Sequence, residues 1–148
     1  MDELDTTAAI DSVEAIVDSF YQAISFRTGE QPDWTQLREL FTPGAQHIYA
    51  RSESTRLIDL ETFTTRFREQ IETGELNGFS EIDAARQTEL FGDVAHVFSI
   101  YETRFATGDS MNSARGVNSI QLLKDEGRWW IVTILWNDES QDDPTLAD

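Results

Sequence analysis

Residues able to do acid–base chemistry are few in this chain, and they are scattered. Its two histidines, His47 and His96, lie far apart and there is no cysteine, which argues against a zinc site. The sequence contains no Gly-x-Ser-x-Gly elbow, His-Glu-x-x-His helix, phosphate-binding loop or dinucleotide glycine fingerprint. No acidic loop is compact enough to resemble a hard-cation site. The pattern therefore calls for no cofactor and no metal. The residue types left to weigh are carboxylates, whose pKa burial raises, and histidines, which titrate near working pH. Glu102 is the first candidate, with Arg104 two residues on and so on the same side of a strand. Its plainer reading is a solvated ion pair at a rim. His47 is the second, alternating with Tyr49 and Arg51 in a short apolar run. Its plainer reading is a strand histidine with no partner. Asn118 sits mid-strand among apolar residues, where its amide must find partners, whether by binding a ligand or by tying down the sheet. Candidate ligand contacts are Tyr21, Tyr49, Phe63, Arg104, Asn118 and Trp136; the aromatic ones serve equally as wall and core.

These residues are positioned by helices first and strands afterwards. Ile10, Val13, Ile16, Val17, Phe20 and Ile24 recur at helical spacing and predict a helix over 8–26, capped by Thr6 or Thr7. Asp33 and Gln36 form a capping-box signature for a short second helix, ended by Thr42-Pro43-Gly44. Ala45–Arg51 reads as a short strand. Asp59 caps a third helix that buries Leu60, Phe63, Phe67 and Ile71 and stops at Gly74. Strands follow over roughly 80–91, 93–106, 112–124 and 128–138. The order predicts an α+β domain over 8–138, an antiparallel sheet with helices packed on one side, with polar tails over 1–7 and 139–148.

The last two strands flank Lys124-Asp125-Glu126-Gly127, a hairpin turn signal. A three-residue loop with Gly127 left-handed sets Leu122 opposite Trp130, Ile120 opposite Val132, Asn118 opposite Ile134 and Gly116 opposite Trp136. Carried across the turn near Asp109, the same register adds His96, Phe98, Ile100 and Glu102 to this bulky, core-facing set. His96 then lies deep beside Leu122 and Trp130. The opposite face collects Ala95, Val97, Ser99, Tyr101, Val117, Ser119, Gln121, Ile131, Thr133 and Leu135. That face is flat and semi-apolar, fit to meet a second subunit with help from Arg115 and Gln121. A one-residue bulge would exchange the two faces beyond it.

Composition narrows the partners. The chain has 148 residues, 39% of them hydrophobic, enough for a core of its own. Its 28 acidic residues against 11 basic ones give a net charge of −17, which repels nucleic acid and anionic membrane surfaces. Only one basic residue is a lysine, a composition that resembles proteins of a salt-rich cytoplasm. No apolar run approaches the ~20 residues of a membrane span, and the acidic N-terminus lacks the basic residues of a signal peptide. A cytoplasmic protein is expected.

Four segments carry a resemblance: Phe91-Gly92-Asp93-Val94-Ala95-His96-Val97, Tyr101-Glu102-Thr103-Arg104, Gly116-Val117-Asn118-Ser119-Ile120-Gln121-Leu122 and Gly127-Arg128-Trp129-Trp130-Ile131. In these the chain resembles the nuclear-transport-factor-2-like superfamily, on its SnoaL-like side, and the order of elements matches from about residue 8 to 138. The resemblance implies a cone, a curved sheet wrapped around the long first helix with a pocket at the open end. It also implies a homodimer through the outer sheet face. Relatives include isomerases, cyclases and dehydratases acting on apolar small molecules, and many members of unknown function.

Two functional classes follow for an uncharacterised domain of this kind. One binds a small apolar molecule in the cone without chemistry. The other is a small lyase or isomerase with Glu102 or His47 as base. A cone filled by its own side chains would make the domain a protein adaptor instead. An open cavity with a buried, unpaired carboxylate favours the enzyme; an open apolar cavity without one favours binding.

Overall fold

The computed structural model describes residues 3–50 and 55–139, with side chains from Ser12 onward. Helix α1 runs over Glu3–Ile24, so Thr6 and Thr7, expected as caps, lie inside it, and residues expected in a tail extend it. Val13, Val17, Phe20, Tyr21 and Ile24 form its buried stripe. Helix α2, Trp34–Glu39, is capped by Asp33, whose carboxylate accepts the Gln36 amide at 3.0 Å. Helix α3, Leu60–Glu72, is capped by Asp59 on the Thr62 amide at 2.7 Å. Those amide hydrogen bonds favour the ionised carboxylate and lower the Asp59 pKa.

Six strands form one sheet: β1 Phe41–Tyr49, β2 Arg56–Asp59, β3 Gly78–Phe91, β4 Val94–Thr107, β5 Ser110–Asp125 and β6 Arg128–Asp138. Their order across the sheet is β2-β1-β6-β5-β4-β3. Every neighbouring pair is antiparallel except β1 with β6, which run parallel and are separated in the chain by α3 and four strands. The Thr42-Pro43-Gly44 segment lies within β1 rather than after α2, and β2 was not foreseen. Arg51 lies outside the described residues.

The sheet wraps α1. Ala95, Val97, Ile120, Leu122, Ile131 and Ile134 are buried on its concave face against the helix stripe. The end of α1 is pinned to the start of β3 by a reciprocal pair of backbone bonds, Phe26 N–H to Phe79 at 2.8 Å and Phe79 N–H to Phe26 at 3.0 Å. Ser25 adds to the clamp, donating to the Tyr21 carbonyl at 2.8 Å and accepting the Glu81 amide at 3.0 Å. This clamp sets Tyr21 of the helix against Glu81 of the sheet.

The register corrects the sequence reading on β4. The β4–β5 turn is Gly108-Asp109, with Thr107 opposite Ser110, so Ala95, Val97, Ser99 and Tyr101 stand opposite Leu122, Ile120, Asn118 and Gly116. Two turn residues in place of three invert the alternation. Ser99 and Tyr101 therefore face inward, while His96, Phe98, Ile100, Glu102 and Arg104 face outward. On β6 the turn is Glu126-Gly127, both at positive φ (53° and 78°), and Leu123 faces Trp130. A bulge at Val132 then restores the expected side for Ile134 and Trp136, now opposite Ile120 and Asn118. Trp129 and Ile131, not Trp130 and Val132, are the core residues of the first half of β6.

Candidate functional site

The open end of the cone holds a cavity of about 550 Å³. Phe20, Ile24, Phe63, Phe67, Ile134 and Trp136 supply apolar wall. Polar groups enter it from four directions: Glu81 from β3, Tyr101 from β4, Asn118 from β5 and Asp138 from β6.

Glu81 is the most unusual of these. Only 9% of it is exposed. Its carboxylate accepts a hydrogen bond from the Asn118 amide nitrogen at 2.8 Å. Among the described residues no cation stands against it. Burial penalises its charged form and pushes its pKa up to about 7; Asn118 pulls downward, and the nearby Asp138 carboxylate pushes upward again.

Asn118 is shared. The same nitrogen donates to the Tyr21 hydroxyl at 3.0 Å. Tyr21 and Ser99 hydroxyls lie 2.6 Å apart, and Ser99 donates to Asp83 at 3.2 Å. With the Ser99 proton committed to Asp83, Tyr21 is the donor to Ser99. The chain of donors thus runs from Asn118 through Tyr21 and Ser99 to Asp83. Burial and the neighbouring Glu81 charge raise the Tyr21 pKa, so it stays a phenol.

A second polar group forms around Asp138. It accepts the Tyr49 hydroxyl at 2.7 Å and, on its other oxygen, the Tyr101 hydroxyl. Burial and the bond to Asp138 raise the Tyr101 pKa. Tyr49 stacks on Trp136 with centroids 5.2 Å apart and planes 9° from parallel. Gly116 leaves room for this group: a Cβ there would overlap the Tyr101 hydroxyl and the Asn137 carbonyl.

The sequence candidates divide cleanly. Tyr21, His47, Tyr49, Phe63, Asn118 and Trp136 all meet the cone interior. His47 lines the cavity, 1% exposed, its ring stacked on Phe63 at 4.2 Å. Neither of its ring nitrogens has a hydrogen-bond partner among the described residues. Burial lowers its pKa to about 4, leaving a neutral imidazole and a weak base at neutral pH. Glu102 and Arg104 are exposed on the outer face, paired across the strands with Arg115 and Ser113, and do not reach the cavity. The inverted β4 alternation is the reason. His96 is also on the outer face rather than in the core; it bonds Ser119 at 2.8 Å and Glu89 at 3.2 Å.

Sequence reasoning passed over Glu81, Ser99, Tyr101 and Asp138. A signal for Glu81 was present: Phe79, Glu81 and Asp83 alternate on one side of a strand, and Phe79 is the kind of residue that faces a core.

Solved structures now place this architecture. A nuclear-transport-factor-2-like superfamily protein from Salmonella enterica superposes with a TM-score of 0.74 at 14% identity, covering 97% of this chain and 96% of its own. The fold is the nuclear-transport-factor-2-like cone. A protein of that family from Streptomyces avermitilis, provisionally assigned as a dehydratase, gives 0.72 at 13% identity over 96% of this chain and 99% of its own. A protein from Shewanella frigidimarina, provisionally assigned as a ketosteroid isomerase, gives 0.62 at 16% identity over 84% of this chain and 94% of its own. No protein-family model and no curated protein matches the sequence. Among the described residues no helix of this cone is long and apolar enough to cross a membrane.

Proposed function

We propose that the cone cavity binds a small, largely apolar molecule and that Glu81 takes a proton from one of its carbons, as in an isomerase or lyase. The observation that carries this is the buried Glu81 carboxyl in the cavity wall, held by one amide with no cation beside it among the described residues, and so with its pKa near neutrality. A base with that pKa is half ionised at working pH and keeps enough proton affinity to deprotonate a carbon acid. In an isomerase the proton returns to a different carbon; in a lyase a leaving group departs as the double bond forms. The neighbours assigned to dehydration and to steroid isomerisation support this class through fold alone. His47, neutral and walled in by Phe63, serves as cavity wall in this scheme.

The test is carbon-detected NMR. The Glu81 carboxyl is identified by its loss in Glu81→Gln and followed from mildly acid to mildly alkaline pH. A midpoint near neutrality is expected. The midpoint of an ordinary glutamate would remove proton transfer and leave binding without chemistry.

The outer sheet face supports a homodimer as the working form. Ile82, Phe98, Leu123 and Leu135 are exposed there, with Ile100 and Val117 half-buried, an apolar surface of the kind that marks an interface.

A further inference from the structure

The cavity is not uniformly apolar along its length. Its lining includes the buried carboxylate of Glu81 and the half-buried Asp138, and also the exposed Arg56 and Arg66. Arg56 opens β2, opposite Tyr49 of β1, and so shares the inward side with Ile58 and His47. Arg66 lies on the α3 stripe that also brings Phe63, Phe67 and Gln70 to the cavity.

These two arginines differ from most others in the chain. Arg38, Arg86 and Arg115 each stand within 4 Å of a carboxylate, at 3.4, 2.5 and 3.9 Å. Arg68 and Arg128 lie over tryptophan rings. Arg56 and Arg66 have neither kind of partner among the described residues. In a chain of net charge −17, carboxylates to pair with are abundant. Glu75 also lines the cavity, and it forms no ion pair with either.

We propose that the ligand of this cavity is an amphipathic organic anion, its carboxylate or similar group held at the open end by Arg56 and Arg66 and its apolar body inside the cone. This rests on the reading of the cavity as a binding site. Two guanidinium forks suit a planar anion, which they can grip through paired N–H donors. The inner carboxylates fix the orientation. An anion pushed inward would meet Glu81 and Asp138, whereas outward it meets the arginines. The apolar part is thereby directed toward Glu81, where a carbon-bound proton has to lie for the proposed chemistry.

The experiment uses two dyes of nearly the same shape: 8-anilinonaphthalene-1-sulfonate, an anion, and N-phenyl-1-naphthylamine, which lacks the sulfonate. Their fluorescence titrations are compared in the parent protein, in Arg56→Gln/Arg66→Gln, and in Arg27→Gln/Arg104→Gln as a control for net charge. All four positions are exposed, so the variants should fold. The sulfonate dye should bind the parent and weaken about tenfold in the first variant, a typical sum for two partly solvated charge-assisted contacts. The neutral dye should bind all three alike. An unchanged sulfonate affinity, an equal loss for both dyes, an equal loss in the control variant, or no binding of either dye would each overturn the proposal. An ordinary Glu81 midpoint in NMR would end the proton-transfer reading and leave this result standing.

Discussion

Glu81 and Asp83 stand two residues apart on the inward face of β3, yet among the described residues only Asp83 is paired with a cation. Arg86 Nε donates to Asp83 at 2.5 Å and its Nη2 to Asp18 of α1 at 2.6 Å. The bulge between Asp83 and Ala85 makes this possible, because the extra residue turns Arg86 inward, opposite Ser99, instead of outward. One carboxylate is thereby neutralised and the other is left to an amide. Paired acids in different surroundings are how a fold separates a structural carboxylate from a reactive one.

Asn118 should set the basicity of Glu81. Asn118→Ala removes the hydrogen bond that favours the charged form, so the Glu81 midpoint should move above its parent value. The same change removes one of the two hydrogen bonds of the buried Tyr21 hydroxyl and should cost about 1–3 kcal/mol in stability. NMR titration and denaturant melts measure the two effects. A midpoint that moves down would show that Asn118 does not hold the carboxylate.

Stability should respond to pH through two opposed groups. Glu81 keeps its proton up to about pH 7 when folded but only to about 4.5 when free, so the native state binds the extra proton between these values and stability falls as pH rises. His47 titrates near 4 when folded against 6.5 when free, so the unfolded state binds the extra proton and stability rises with pH across that window. Glu81→Gln deletes the falling contribution. It should match the parent at acid pH and exceed it by up to about 3 kcal/mol in mildly alkaline buffer. Melts across pH, with a gap that fails to widen, would show Glu81 to be an ordinary glutamate.

Gly116 is predicted to admit no side chain. Gly116→Ala would drive a methyl into the Tyr101 ring and the Asn137 carbonyl, both part of packed strands. A loss of roughly 1–3 kcal/mol is expected from overpacking. Tyr101 should also leave Asp138, visible as a changed tyrosine absorbance on alkaline titration. Full stability in the alanine variant would mean that the cavity wall is loose at this point.

The outer face offers a separate test. Ser119 stands opposite Phe98 and Leu135, and Thr133 opposite Gln121, all on the outward side. Ser119→Arg with Thr133→Arg would place charge in a dimer interface there, and sedimentation should report monomer. Glu102→Gln, on that same face, should leave the Glu81 titration untouched. A double variant that stays dimeric at micromolar concentration would move the interface elsewhere.

Much of this architecture is written in local patterns. The caps at Asp33 and Asp59, the stripe of Val13, Val17, Phe20 and Ile24, and the glycine turns between long strands are each dictated by backbone chemistry within a few residues. So is the choice of Asn118, Tyr21, Tyr49 and Trp136 as inward-facing, since a polar or amphipathic residue amid apolar alternation has few other places to go. The base itself is a different matter. Whether Ser99 and Tyr101 or Glu102 face the cone depends on one residue of turn length at Gly108-Asp109. Whether Arg86 reaches Asp83 depends on a bulge one residue long. Alternation has a period of two, so each such insertion exchanges every side chain beyond it between core and solvent, and it leaves almost no mark on composition or spacing. Sheet curvature around α1 selects these insertions, and that curvature exists only once the strands are assembled. For that reason the identity of the buried carboxylate, hinted at by the alternation of Phe79, Glu81 and Asp83, was decided by the tertiary structure.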